Sequence, residues 1–299
     1  MTKILPFLFI SFLFFSCTSN KKEKTKPEIL PVKTSLKHQG YISELPGKLN
    51  EISGLLRYDG LFWGFNDSGG KDKIYGFDTV GKIRKEIKIE NANNHDWESI
   101  AQDKECIYIG DFGNNRGNRK NLKIYKIRKK DIGKDTEQKV DAEKINFSYS
   151  NQNNFSPANH ATTFDCEALT EYNNNLYLFS KNWIKETTTV YKIPKDKGSY
   201  KVQPLDTFNV KGLVTGADVS EDKTKLALVG YRDYTPFIWI FHDISEESFF
   251  NGGKEYFQLN SLHDAQTEGI CFYGNDTILV SCEKTSRFKQ QVFLFDLTK

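Results

Sequence analysis

Five tripeptides constrain this chain more than any other feature. They are Ser53-Gly54-Leu55, Glu98-Ser99-Ile100, Glu167-Ala168-Leu169, Asp218-Val219-Ser220 and Glu268-Gly269-Ile270. Each opens on an oxygen-bearing side chain, and all but the one at Asp218 reach an apolar residue two positions on. The intervals between them are 45, 69, 51 and 50 residues. Periods of this size are the mark of a propeller or another repeat array.

The segments downstream of the tripeptides also repeat. A turn signal comes first ("YDG", "DKE", "NNN", "EDKTK", "GND"), then an apolar strand ("LFWGF", "CIYIG", "LYLFS", "LALVG", "ILVSC"). A polar loop leads to a second aromatic strand ("IYGFD", "LKIYKI", "TVYKI", "FIWIF", "VFLFDL"). Four units then add a last strand: "EIKIE", "KINFSYS", "TFNV" and "YFQLN". Alternation and turn residues support the strands throughout. The pattern predicts an all-β fold, a five-bladed β-propeller of four-stranded blades.

The fifth unit lacks its last strand, and "HQGYISELPGK" at 38–48 stands ahead of the first unit without a partner. The N-terminal strand is therefore expected to complete the last blade, closing the ring and covering an edge. The surplus in the longest interval, "NQNNFSPANHA", reads as a loop, and "HDISEESFFNGG" at 242–253 as a short helix.

The first residues are of another kind. "MTKILPFLFISFLFFSC" has a charge at Lys3, an apolar run from Ile4 to Phe15, then Ser16 and Cys17. The run is short for a bilayer span and reads as an export signal. A Cys directly after such a run resembles a bacterial lipoprotein signal, although Phe14-Phe15 depart from the usual motif. That resemblance implies lipidation of Cys17, palmitate included, and an exported, membrane-anchored lipoprotein of the bacterial envelope. The alternative is an ordinary signal peptide with an incidental Cys. The expected organisation is a signal peptide at 1–16, a lipidated Cys and flexible tether at 17–36, and one propeller at 37–299.

Residues 1–33 hold six Lys and two Glu, while the whole chain carries +3. The body is thus about −1, and no nucleic-acid binding is expected. The membrane, reached through the lipid, is one expected partner; an anionic small molecule or an envelope protein is the other. A monomer is expected. Cys106, Cys166, Cys271 and Cys282 form no metal-binding spacing, lie in strand-like runs and read as packed thiols.

In a propeller the first strand of each blade lines the channel. Ser53, Glu98, Glu167, Asp218 and Glu268 are then expected to converge on one axis. Two like charges about 5 Å apart repel by roughly 3 kcal/mol at an effective dielectric near 20. Several carboxylates there require protons, backbone N–H donors from the next blade, or a cation. Oxygen donors without His or thiolate suit Ca2+, so a central Ca2+ is expected on these five residues.

The loop after each second strand returns to the same mouth. It supplies Asn66, Asp67, Asp111, Arg116, Arg119, Lys181, Arg232 and Glu283 as candidate ligand-binding residues. The basic ones suit phosphate or carboxylate, and Asp67, Asp111 or Asp96 suit water or metal. Each loop is also good turn chemistry. No serine-hydrolase elbow, P-loop or HExxH motif is present, and no catalytic residue is assigned.

With "EISGL" at the first root and "TEGIC" at the last, the chain resembles the soluble calcium-activated nucleotidase (apyrase) family. The likeness runs from about residue 49 to 283, at roots and turns. It implies axial Ca2+ near Glu51, Ser53 and Glu268 and hydrolysis of nucleoside di- and triphosphates. Asp218 departs from the family's usual Ser, and the phosphate-handling segments do not align. The chain is also similar to SdiA-regulated and phytase-like or esterase-like envelope propellers. Two functions remain: an envelope lipoprotein with a ligand- or partner-binding mouth and a structural Ca2+, or a Ca2+-dependent hydrolase of a phosphorylated or ester substrate.

Overall fold

The computed structural model describes residues 36–298 together with Met1. The expected export signal, beyond Met1, and Cys17 lie outside the described residues. The body forms five sheets, one per blade, whose innermost strands contact each other in a closed ring. These inner strands are Ile52–Tyr58, Trp97–Gln102, Asp165–Tyr172, Leu213–Val219 and Thr267–Phe272. Blades are numbered one to five in that order.

Each blade is an antiparallel meander running outward from its inner strand. Its second strand is buried on both faces, since a radial sheet is packed between two neighbours; Cys106–Asp111 has no exposed residue. That is why these strands read as continuous apolar runs rather than alternating ones. Asp59-Gly60 and Asn173-Asn174 turn two of the inner hairpins with positive φ at both positions. This is the geometry that Gly and Asn tolerate and that matches strand twist.

His38–Ile42 pairs antiparallel with Gln291–Asp296, so the N-terminal strand completes blade five. Blades one and two each gain a fifth, parallel outer strand that the sequence pattern did not reveal. Glu137–Val140 pairs with Ile83–Ile89, and Gly198–Val202 with Glu143–Tyr149. Each is lent by the following blade, so the outer edges are stitched together and shielded. The segment 151–161 is a loop as expected. The segment 242–253 is irregular, not a helix. Phe249 and Phe250, adjacent in sequence, both enter the core, with Phe249 4.7 Å from Tyr177 and Phe250 5.0 Å from Phe241. A helix points neighbouring residues about 100° apart and serves this double burial poorly.

The waist of the ring is tight. A Cβ on Gly269 would lie 2.6 Å from the Gly54 carbonyl carbon, and one on Gly216 2.8 Å from the Glu268 carbonyl oxygen. Small residues after the roots thus allow the inner strands to meet, and the waist divides the channel into two mouths. The four described cysteines are buried, free thiols.

Candidate functional site

A β-bulge sits at the start of the inner strand in every blade. Glu98, Glu167, Thr215 and Glu268 are the extra residues in blades two to five, and the shift in blade one comes after Ser53. A bulge re-aims a side chain that regular pleating would send into the sheet interface. The register makes Thr215, not Asp218, the equivalent of the other roots. Thr215-Gly216-Ala217 repeats the root–small–apolar order of the other tripeptides, and the small residue was the signal that could have found it.

Asp218 lies three residues further on, below the waist. Its Oδ2 accepts the Phe272 N–H of the next blade at 2.8 Å. Related bonds link other inner strands. Ser53 Oγ donates to Glu98 O at 2.7 Å, Thr215 Oγ1 donates to Thr267 O at 2.6 Å, and Ser99 Oγ accepts from Leu169 N at 3.0 Å. Ser53 and Asp218 therefore act as stitches between blades.

The upper mouth gathers carboxylates. One oxygen each of Asp67, Asp96 and Glu98 lie within 4.8 Å of one another. Gly113 leans against two of them: a Cβ there would collide with Glu98 Oε1 and stand 2.5 Å from Asp96 Oδ2. Burial, and then the nearby acids, push Asp96 up to about 7 and Glu98 well above its usual range. Burial also raises Glu268 to about 7 and, together with Glu268, Asp67 and Glu51, raises Glu283 to about 9.

The other half of the mouth holds a built-in cation. Lys181 Nζ is 3.2 Å from Glu167 Oε2, with both side chains buried. Burial alone would lower the Lys181 pKa; Glu167, Tyr231, Glu268 and Asp165 instead hold it well above the usual value. Its ammonium also lies 4.8 Å from the Trp183 ring centre and 5.3 Å from that of Tyr231. Lys181 was expected to meet an external anion, and it neutralises the protein's own acids. Asp165 is fixed by the Asn114 N–H at 2.5 Å and the Trp183 indole N–H at 2.7 Å. Trp183 in turn stacks on His160 at 4.0 Å, which fastens the long loop to this mouth.

The remaining candidates divide. Asp67, Lys181 and Glu283 join the roots electrostatically. Asp111, fully buried, is consumed by Arg119 at 2.7 Å and Lys123 at 3.3 Å. Arg119 also reaches Asp96 at 3.9 Å. Arg232 is half exposed and pairs with Glu186 at 3.3 Å, on the rim. Arg116 is exposed, and Asn66 uses its side-chain N–H on Asn50 Oδ1 at 3.5 Å. Among the described residues no Lys or Arg ion-pairs with Glu98 or Asp67. An all-oxygen set of three carboxylates on that side fits a hard divalent cation.

No protein-family model and no curated protein matches the sequence. Among solved structures, a chain of a nidogen–laminin complex is similar at 14% identity, over 83% of this chain and 76% of that one, with a TM-score of 0.47. A putative 6-phosphogluconolactonase from Bacteroides uniformis is similar at 8% identity, over 79% of this chain and 68% of that one, with a TM-score of 0.41. At such identities the likeness concerns the fold and does not reach the chemistry of the mouth.

Proposed function

We propose that this protein is a lipid-anchored binding propeller of the bacterial envelope whose upper mouth holds one Ca2+, off the axis, on Asp67, Asp96 and Glu98. The observation that carries the reading is the approach of those three carboxylates beside a lysine-neutralised half. Lys181 pairs with Glu167, whereas Asp67, Asp96 and Glu98 are left to protons or a cation. A bound Ca2+ would supply a positive charge facing the opening. Arg119, braced on Asp111 and the Gly113 carbonyl, would help hold an anionic group of a small molecule or envelope partner there.

Calorimetric titration of chelator-stripped full chain with Ca2+ tests this. One ion per chain is expected, with binding lost in Glu98→Gln and kept in Asp218→Asn. Absence of heat, with no gain in melting temperature, removes the metal from the proposal. Anchoring is tested separately: labelled palmitate should enter the wild type and not Cys17→Ser.

A second reading rests on Asp96. With a pKa pushed up to about 7 by burial and 3.9 Å from Arg119, it suits a general base beside an anion. Under this reading Asp67 and Glu98 hold the ion, Asp96 stays free of it, and the protein is a Ca2+-dependent hydrolase of a phosphorylated or ester substrate. Phosphate release from ADP, or cleavage of an aryl ester, should then need Ca2+ and fall about a hundredfold or more in Asp96→Asn. A blank panel with intact Ca2+ binding leaves the binding reading alone.

A further inference from the structure

The mouth below the waist has no part in the function proposed above, yet it holds a cavity of its own. Inner hairpins of blades one to four surround a cavity of 1190 Å³ there, with Asp218, Cys271 and Phe272 on its floor. That is ample for a ligand of several rings.

The walls carry charges of both signs, and where blades two, three and four meet these are committed to each other. Lys195 Nζ lies 2.7 Å from Asp103 Oδ2 and 3.3 Å from Glu171 Oε1, tying blade two to blade three. Lys223, from blade four, reaches Glu171 at 3.7 Å. Lys129 donates to Gln102 Oε1 at 2.8 Å and to Asp103 O at 2.6 Å, with its ammonium 4.5 Å over the Tyr58 ring. Asp103 also accepts the Tyr108 hydroxyl at 2.8 Å and two backbone N–H groups. Burial would raise the Asp103 pKa, but these donors hold it down at about 2.

That stretch of wall, neutralised in this way, offers little to an ion, which would have to break existing pairs. It suits a ligand without net charge that needs fixed donors and acceptors. Lys195 retains a third N–H, and the Asp218 carboxyl retains acceptor capacity beyond its bond to Phe272. Burial pushes Asp218 up to about 7, so near neutral pH it can both give and accept a hydrogen bond, as a hydroxyl does. These groups stand on strand ends and tight hairpins, so their geometry is set before a ligand arrives.

We propose that the lower mouth binds a neutral, hydroxyl-rich ligand of the carbohydrate class, with Lys195 on the wall and Asp218 on the floor as hydrogen-bonding partners. The two mouths then serve different chemistries: an ion above the waist, a sugar below it.

The test is calorimetric titration of the full chain, in chelator, with maltotriose, cellotriose and triacetylchitotriose, and with sulfate as the ionic probe. At least one trisaccharide should bind with a Kd of about 1 mM or tighter. Lys195→Met should weaken it about tenfold. Asp218→Asn, which keeps an acceptor for the Phe272 N–H, should weaken it several-fold and remove any pH dependence of binding around 7. Melting curves establish that both variants are folded. Sulfate binding that Lys195→Met abolishes, with no trisaccharide bound, would overturn the proposal in favour of an anion site. It is also overturned if no trisaccharide binds at about 10 mM, or if one binds equally well to both variants.

Discussion

The upper and lower mouths are built from opposite ends of the same inner strands, yet they handle charge in contrary ways. Above the waist, bulged roots and the residues beside them bring Asp67, Asp96, Glu98, Asp165, Glu167, Glu268 and Glu283 together with Lys181 as the buried counter-ion. Below it, Asp103, Lys195, Glu171 and Lys223 alternate around the wall and satisfy one another. Like charges on equivalent positions of a radial fold converge by symmetry, and protons, a bound cation or a basic side chain must relieve them. Lys181 does so for half of the upper mouth. The lower mouth draws its lysines from different strands and needs no outside help.

The sharpest way to break this contrast is Lys181→Met. Removing one partner of a buried pair leaves the other uncompensated, at a cost of about 3–5 kcal/mol. For a chain of this size that is roughly 10 °C in melting temperature. Melting followed at pH 7 and pH 5 should show a smaller loss at the lower pH, because burial raises Glu167 well above the usual carboxylate range and protonation relieves it. An equal loss at both would mean that Lys181 supports packing rather than charge.

Asp103→Asn is the matching change below. Asp103 is largely but not wholly enclosed, so solvent screening discounts the loss to about 1–2 kcal/mol. The pH signs also differ between the ends. Asp103, held down at about 2, contributes stability that is present above its unfolded value near 3.9 and lost as pH falls through about 2. Asp96 and Glu268, raised to about 7, and Glu283, raised to about 9, work the other way. Their contribution is full below the unfolded values near 4 and is lost as pH rises through about 7 to 9. Asp218, on the lower floor, adds to that second trend. In chelator the melting temperature should therefore fall from pH 5 to pH 9, and Ca2+ should restore most at pH 9. A flat profile in chelator would show that the upper acids are not strained. The smallest effect belongs to Arg232→Ala on the exposed rim, under about 0.5 kcal/mol by denaturant unfolding.

Much of the ring was legible in the sequence, for identifiable reasons. Strand period, aromatic runs and Asp-Gly or Asn-Asn turns are local, so the meanders and their order could be read directly. The orphan strand at 38–42 found its place because an unfinished blade stood at the other end. The fourth root was misread by three residues, since both Thr215 and Asp218 bear oxygen and only a bulge distinguishes them. The strands at 137–140 and 198–202 were missed because they are short, polar and paired in parallel with a different blade. The segment at 242–253 looked helical by composition, yet burying Phe249 and Phe250 together overrode that preference.

Taken alone, the order of residues determined that five repeated units would form and that each would begin with an oxygen-bearing side chain, because both arise from patterns within a few residues. Only the closed ring decided which acids meet, which of them Lys181 neutralises and that a second, charge-balanced chamber lies beneath the waist. Those outcomes depend on distances between residues far apart in the chain, and such distances exist only once the inner strands are packed around a common axis.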